Sequence, residues 1–142
     1  MSTLKIGVVG YCPPTKFNEA DAKALLTQAF DAVVADNPKA TDIWVVSGLT
    51  DVGVLALAYR AAVARDWKTS GIACAKAKNY DCFPVDTYEI VGRNWGDESN
   101  AFLKGIDVLV RIGGGTQSHT EAATFKNAGG EVYAYELDPV TD

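Results

Sequence analysis

Short runs of apolar residues alternate along this chain with longer stretches in which apolar residues recur every three or four positions. The first pattern is typical of buried strands, and the second is typical of amphipathic helices. The apolar runs predict strands at residues 4–10, 43–46, 71–75, 87–92, 108–112 and 131–135. The helical pattern predicts helices at 19–35, 54–66, 98–104 and 118–128. Asn18 and Asp97 are the predicted N-caps of the first and third helices.

This alternation of strands and helices favours parallel pairing, with helices on both faces of the sheet. Nothing in the sequence suggests an internal repeat, a linker or a low-complexity segment. We therefore predict a single α/β domain over residues 1–142, built as a doubly wound, mainly parallel sheet of about five to six strands.

The predicted strand at 108–112 and the three glycines that follow it form the most informative stretch. Gly113, Gly114 and Gly115 separate this apolar run from a helical pattern that opens at Ser118. Glycine allows a tight turn and the close approach of a ligand, and the free N–H groups at a helix start attract anions. This strand, turn and helix are therefore typical of a phosphate-binding loop.

Two further loops follow predicted strands and contain glycine and polar residues. They are Gly10-Tyr11 and residues 47–53. Because ligands of open parallel sheets bind beyond the carboxyl ends of the strands, we expect the three loops to form one pocket. The predicted ligand-binding residues are Gly10, Tyr11, Ser47, Gly48, Asp51, Gly53, Gly113, Gly114, Gly115, Thr116, Gln117 and Ser118. Glycines can also merely end strands, and this alternative is reasonable for any single loop, but three such loops together favour a binding site.

Composition narrows the class of partner. The formal net charge of −5 argues against a broad nucleic-acid surface, but not against a small anion held by backbone amides. Three cysteines without a Cys-x-x-Cys spacing indicate free thiols in the cytoplasm, and a single histidine gives no basis for a metal cluster. No signal-peptide pattern opens the sequence, and no apolar run approaches the ~20 residues of a membrane span. We expect a cytoplasmic protein that binds a small phosphorylated ligand, and we assign it no metal and no definite cofactor.

Two motifs resemble those of the SLOG superfamily. The first is Gly48-x4-Gly53 leading into an alanine-rich helix, and the second is the triple glycine with Ser118-x-x-Glu121. This superfamily includes the Lonely Guy phosphoribohydrolases, once described as lysine decarboxylase-like, and the molybdenum-cofactor carrier protein. The resemblance implies a Rossmann-like nucleotide-binding fold. The hydrolases carry the motif Pro-Gly-Gly-x-Gly-Thr-x-x-Glu, whereas here Ile112 replaces the proline and 117–118 replaces Gly-Thr.

The resemblance also implies roles for two charged residues. It places the Glu121 carboxylate near a ribose, where it would support cleavage of the N-glycosidic bond, and it places Arg93 near the phosphate or the base. An alternative for Glu121 is structural, because Ser118-x-x-Glu121 is also a capping box at a helix N-terminus. Arg111 is an unusual charge within a buried strand, and we expect it to reach past the sheet edge or to pair with an acid.

Other candidate residues have both a functional and a structural interpretation. Asp51 is placed to bind a ribose hydroxyl or to help cap the second helix. Tyr11 and Trp95 are placed to stack on a base or to pack in the core. Cys12 follows the first strand, but no neighbouring base activates it as a nucleophile.

Three functional hypotheses share the predicted pocket. The first is a domain that binds a nucleotide or related phosphorylated ligand without turnover. The alternative is a phosphoribohydrolase that cleaves nucleoside 5′-monophosphates, and the third hypothesis is a carrier of a pterin-type cofactor. We also expect a homo-oligomer, formed through the alanine-rich second helix with Tyr59 and Trp67 exposed on it.

Overall fold

The computed structural model describes residues 2–140, and this range contains every predicted strand and helix in the predicted order. The strands are β1 (Thr3–Gly10), β2 (Asp42–Ser47), β3 (Lys68–Ala73), β4 (Thr87–Ile90), β5 (Val108–Ile112) and β6 (Glu131–Tyr135). The helices are α1 (Glu19–Asp36), α2 (Gly53–Ala64), α3 (Ser99–Lys104), α4 (Thr116–Asn127) and a 3-10 helix (Ala75–Asn79). No helix within residues 2–140 is long and apolar enough to cross a membrane.

The strands form one sheet in which every neighbouring pair is parallel, in the order β4–β3–β2–β1–β5–β6. β1 is central, because its Ile6 lies opposite Val45 of β2 on one side and Val108 of β5 on the other. The chain builds outward from β1 to β4 and then returns to the far side of β1 for β5 and β6. The predicted doubly wound parallel sheet is confirmed. Its strand order reverses between β1 and β5, which is where such sheets bind ligands.

Helices cover both faces of the sheet because the inner strands are apolar on both faces. α1 and α2 pack on one face, where Leu26, Phe30 and Tyr59 belong to the larger core cluster. α3 and α4 pack on the other face, around Phe102 and Leu109. All of β5 is buried, as expected for an inner strand of a parallel sheet with a nearly continuous apolar sequence.

Two element starts test the sequence reasoning directly. Asn18 is the N-cap of α1, as predicted, and its side-chain oxygen accepts a hydrogen bond from Asp21 N at 3.0 Å. β3, however, begins at Lys68, whereas the prediction began at residue 71. The polar sequence at 68–70 concealed this part of the strand. It pairs within the sheet because the Asp86 carboxylate accepts from both the N–H and the hydroxyl of Thr69, which is buried.

α4 begins earlier than predicted. Its first residue is Thr116 and its N-cap is Gly115, whereas the apolar periodicity predicted a start at Ser118. The first turn of this helix is polar and therefore carries no apolar signal. As a result, the first turn of α4 follows the glycine turn directly, without the two intervening loop residues that the sequence indicated.

The capping-box interpretation of α4 is wrong, because Ser118 lies inside the helix and no side chain caps its N-terminus. The Ser118 hydroxyl instead donates to Gly10 O at 3.3 Å. The Glu121 carboxylate accepts a hydrogen bond from Ser99 Oγ of α3 at 3.0 Å. These two side chains therefore join α4 to β1 and α3.

The predicted N-cap of α3 is also wrong. α3 begins at Ser99, and no side chain caps it. The Asp97 carboxylate faces the preceding turn, where it accepts from the N–H groups of Arg93 and Asn94 at 3.0 and 2.9 Å. These two hydrogen bonds lower the pKa of Asp97. Asp97 therefore shapes the loop before α3 rather than the helix itself.

The expectation that Tyr59 is exposed on α2 is wrong as well. Tyr59 is fully buried, and its hydroxyl accepts from Leu49 N at 3.0 Å and donates to Ser70 O at 2.9 Å. Trp67 is half-buried against Phe30, with their ring centroids 5.3 Å apart. The alanine-rich helix packs inward, so these two residues form no exposed aromatic face.

Candidate functional site

A cavity of about 540 Å³ opens at the carboxyl ends of the inner strands, beside the reversal of strand order. This volume is in the range of small-molecule sites, roughly 300–1,000 Å³. Residues from each of the three predicted loops line it: Gly10, Tyr11, Ser47, Gly48, Gly115, Thr116, Gln117, Ser118 and Glu121. The sheet therefore brings these loops together, as the sequence predicted.

One side of the cavity is formed by the glycine turn and the start of α4. Gly114 has φ +104°, and a Cβ at this position would lie 2.6 Å from Ser118 Cβ, so only glycine fits the turn. Gly115 is the N-cap, and the first turn of α4 contains no acidic residue. Because no side chain among residues 2–140 satisfies these terminal N–H groups, they are available to an anion and carry the positive end of the helix dipole.

Two serines on the cavity wall have structural roles. The Ser47 hydroxyl donates to Val8 O at 2.7 Å, and the Ser118 hydroxyl donates to Gly10 O at 3.3 Å. Both residues are buried, and both bonds go to the backbone of β1. They therefore fix the β2 and α4 walls to the central strand.

Arg111 holds the glycine turn from inside the protein. This residue is only 6% exposed, and its guanidinium Nη1 donates to Gly113 O at 2.8 Å. Its Nη2 forms an ion pair with Glu136, and Nη1 lies 3.5 Å from His119 Nε2. The expected acidic partner of this buried charge is therefore Glu136, and Arg111 joins β5, the turn, α4 and the segment after β6.

Two buried carboxylates lie near each other on the cavity wall. Glu121 is 8% exposed and Glu98 is 7% exposed. Burial is the main cause that raises the pKa of Glu121, the hydrogen bond from Ser99 opposes it, and the nearby charge of Glu98 raises the pKa further. Desolvation of the sulfur and the charge of Glu121 raise the pKa of Cys12, which favours the thiol over the nucleophilic thiolate although the residue is exposed.

The cavity is otherwise apolar and aromatic. Its lining within the described part of the chain includes no lysine, arginine or histidine. Tyr80 and Trp95 contact each other at its rim, with ring centroids 5.9 Å apart, and Phe102 of α3 lies deeper. Among the described residues, no group of three or more His, Cys, Asp or Glu side chains is placed to hold a metal ion.

Five predicted site residues do not line the cavity: Arg93, Asp51, Gly53, Gly113 and Gly114. Arg93 is exposed, and the Asp51 carboxylate forms a two-fold ion pair with Arg60 at 2.9 and 3.2 Å. Asp51 does not cap α2 either, since its N-cap is Val52 and no side chain bonds there.

The three glycines among these five shape the loops instead. Gly53 has φ +62° and packs against the backbone of Tyr11, whose carbonyl accepts from Val54 N at 2.9 Å. Gly113 lies under the Tyr11 ring, and Gly114 lies against Ser118. Absence of a side chain at these positions allows the three loops to approach one another.

Sequence reasoning missed several residues of the far wall, among them Thr50, Tyr80, Glu98 and Phe102. Thr50 lies inside the candidate loop after β2, so its place in the sequence is enough to predict that it lies near the cavity. Tyr80 and Glu98 come from loops at 76–84 and 93–98, which carry no motif. The candidate residue Trp95 points to the second of these loops, whereas only the tertiary structure shows that Tyr80 and Glu98 reach the cavity.

Comparison with solved structures identifies the fold. The chain is similar to the molybdenum cofactor binding protein of the phototrophic bacterium Rippkaea orientalis, with TM-score 0.75, 22% identity, and coverage of 97% of this chain and 79% of that one. It is similar to the molybdenum cofactor carrier protein of Chlamydomonas reinhardtii, with TM-score 0.71, 20% identity, and coverage of 93% and 76%. The structural-genomics target TM1055 gives TM-score 0.70, 21% identity, and coverage of 91% and 72%.

The chain has the Rossmann-like fold of these proteins. This confirms the fold that the two glycine motifs implied. No protein-family model matches the sequence, and no curated protein matches it either. At these levels of identity, the structural similarity establishes the fold alone.

Proposed function

We propose that this SLOG-type domain binds a small phosphorylated ligand without turnover, with the phosphate at the N-terminus of α4. The observation that carries the proposal is the uncapped first turn of this helix, which opens into a cavity rather than into bulk solvent. Gly115, Thr116 and Gln117 lie on the cavity wall, and their backbone N–H groups provide donors without a cationic side chain. A single phosphate suits this arrangement better than a triphosphate, whose larger charge would find no lysine or arginine in the described lining.

The remaining walls suit a flat ring system. The Tyr11, Tyr80 and Trp95 side chains provide aromatic surface, and Phe102 and Leu55 provide apolar surface. A nucleobase and a pterin both bury apolar faces against such walls while their polar edges form hydrogen bonds. The names of two structural neighbours, a molybdenum cofactor binding protein and a molybdenum cofactor carrier protein, support a carrier role for a pterin-type cofactor within this class.

The second candidate function is a phosphoribohydrolase. The observation that favours it is Glu121, a buried carboxylate on the cavity wall whose pKa is raised by burial. Against it, Arg93 lies outside the cavity lining, and the Gly-Thr pair of the hydrolase motif is replaced at 117–118. We therefore rank binding above hydrolysis.

A thermal-shift screen with a simultaneous assay of released base separates these functions. The panel contains nucleoside mono-, di- and triphosphates, ribose 5-phosphate and neopterin monophosphate. A ligand at one hundred times its dissociation constant stabilises the protein by about 2.7 kcal/mol, which raises the melting temperature by roughly 8 °C for a domain of this size. We expect this shift with monophosphates, a smaller shift with triphosphates, and no released base.

Glu121→Ala is the informative variant, and Glu131→Ala, at an exposed position of β6, is its matched control. For a binding protein, Glu121→Ala weakens the shift at most, and Glu131→Ala leaves it unchanged. Release of base by the unmodified protein, lost in Glu121→Ala only, would establish the hydrolase and refute binding without turnover. No shift with any phosphorylated ligand would refute the proposed function itself.

We also propose a cytoplasmic location and self-association. Cys12, Cys74 and Cys82 are unpaired, and free thiols are typical of a reducing compartment.

Val63 of α2 is 58% exposed, and Val34 of the neighbouring α1 is 37% exposed. These apolar side chains replace Tyr59 and Trp67 as the candidate contact between two copies.

A further inference from the structure

The cavity has two chemically different ends. Strand order puts β5, and therefore the start of α4, on one side of β1, whereas β2 and β3 lie on the other side. Thr50, which follows β2, forms a β-bridge with Cys82. Tyr80, close to that bridge, packs against Trp95. Thr50, Tyr80 and Trp95 therefore line the end of the cavity opposite the proposed phosphate position, and Glu98 lies between this end and α4, because its neighbour Ser99 donates to Glu121.

Glu98, beside this second end, offers hydrogen-bond acceptors that the protein does not saturate. Glu98 is 7% exposed, and both carboxylate oxygens accept from a single donor, Gly96 N, at 2.9 and 3.2 Å. An ionised carboxylate has sites for about four hydrogen bonds, so Glu98 retains acceptor capacity. Because the described lining contains no cationic side chain, this capacity is left for donors that a ligand brings.

Thr50 gives an independent indication that this end is polar and unfilled. It is only 6% exposed and lies on the cavity wall. Within residues 2–140 its hydroxyl has no hydrogen-bond partner, yet it is not sealed from solvent. A buried hydroxyl without a partner is costly unless a ligand or water satisfies it.

We propose that this end selects a ring with a 2-amino-4-oxopyrimidine edge, which guanine and pterin share, and that Glu98 is the residue that reads it. This inference rests on the proposed function, which places the phosphate at α4. The edge presents a ring N–H beside an amino N–H, and a carboxylate accepts both as a two-fold pair. Its carbonyl oxygen accepts from a hydroxyl, which Thr50 supplies, while Tyr80 and Trp95 stack on the ring face.

The edges of other rings match this end less well. Hypoxanthine keeps the ring N–H and the carbonyl oxygen but lacks the amino group, so Glu98 would gain one hydrogen bond instead of two. Adenine places its amino group beside a ring acceptor, which opposes a carboxylate. The comparison of GMP with IMP therefore isolates the amino group, while the sugar and the phosphate stay the same.

Isothermal titration calorimetry with GMP and IMP tests the inference. We expect GMP to bind at least about tenfold more tightly than IMP, as one further hydrogen bond to a charged acceptor predicts. In Glu98→Gln the amide NH₂ faces a donor, so GMP should lose more affinity than IMP and the ratio should fall below about twofold. Glu89→Gln, on exposed β4, removes the same charge outside the cavity and should keep the wild-type ratio.

The outcomes distinguish this inference from the function on which it rests. Equal affinity for GMP and IMP in the unmodified protein overturns the role of Glu98 but leaves phosphate binding intact. Failure of GMP, IMP, AMP and neopterin monophosphate to bind at all overturns both. The wild-type ratio alone decides the matter if Glu98→Gln does not fold, as judged by near-ultraviolet circular dichroism. Tighter binding of GMP than of neopterin monophosphate, or the reverse, assigns the edge to a nucleotide or to a pterin.

Discussion

An acidic residue placed at the start of α4 should stabilise the protein and weaken its proposed ligand at the same time. Thr116 is the first residue of this helix, is exposed and lies on the cavity wall. The first turn carries no acid and no side-chain cap. In Thr116→Asp the new carboxylate therefore interacts favourably with the helix dipole, by about 0.3–1 kcal/mol at low ionic strength.

The same carboxylate competes with a bound phosphate. One helical pitch is about 5.4 Å, so the two charges would lie about 6 Å apart if the phosphate occupies the first-turn amides. At that distance, with an effective dielectric constant of about 40 for this exposed position, the repulsion is about 1.4 kcal/mol per unit of phosphate charge. Because about 1.4 kcal/mol corresponds to tenfold in affinity, the dissociation constant of a monophosphate should rise about tenfold to a hundredfold, depending on its ionisation.

Two measurements on Thr116→Asp test this reasoning at ~0.1 M salt. Urea unfolding gives the free energy of unfolding, and isothermal titration calorimetry gives the affinity for a nucleoside monophosphate. Thr124→Asp is the matched control, since it adds the same charge at an exposed position about 12 Å further along α4. At ~0.1 M salt the Debye length is about 10 Å, so this control should lose little affinity. Unchanged affinity in Thr116→Asp, combined with the expected gain in stability, would show that the phosphate does not bind at α4.

Two further predictions concern stability and assembly. Tyr59→Phe should lower the free energy of unfolding by about 1–3 kcal/mol, because Leu49 N loses its partner, Leu49 already holds a φ of +76°, and Ser70 O loses its donor. Tyr88→Phe, at a 57% exposed position, is the control. If Tyr59→Phe lowers the free energy of unfolding no more than this control does, the two hydrogen bonds of Tyr59 do not stabilise the fold. Light scattering after size-exclusion chromatography at micromolar concentration should give a dimer mass, and Val63→Glu should shift it to a monomer. A monomer mass for the unmodified protein would contradict the proposed self-association.

The sequence predicts the architecture well because the sheet uses strong and simple signals. β1, β2 and β5 are mostly apolar runs, and the helices between them have clear periodicity, so their existence and order follow from the printed residues alone. The start of α4 does not follow, since its first turn is polar and its N-cap is glycine. The strand at 68–70 is hidden for a related reason, because the Asp86 carboxylate lets a polar sequence join the sheet.

The candidate site also has a part that the sequence predicts and a part that it does not. The β1, β2 and β5 loops converge as predicted because they follow strands that are neighbours in the sheet. On the far wall Trp95 was a candidate, but Tyr80 and Glu98 were not predictable, since they lie on irregular loops whose path depends on contacts distant in sequence. Arg111 shows how far the sequence can predict the contacts of a single side chain. Its position within β5 was recognised as unusual, but its bond to Gly113 O depends on the path of the chain after the strand.

The contacts behind the glycine turn favour a preformed binding site over one assembled by its ligand. Arg111 holds Gly113 O and Glu136, while the Tyr11 hydroxyl donates to Leu137 O at 2.7 Å. The segment after β6 therefore fixes both the β1 loop and the glycine turn from outside the cavity. A site whose donors are already ordered loses little conformational entropy when the ligand binds, which favours tight binding of one chemical group. Because the same contacts oppose the loop closure that many enzymes use to assemble a catalytic site, this rigidity is a further reason to prefer binding to hydrolysis.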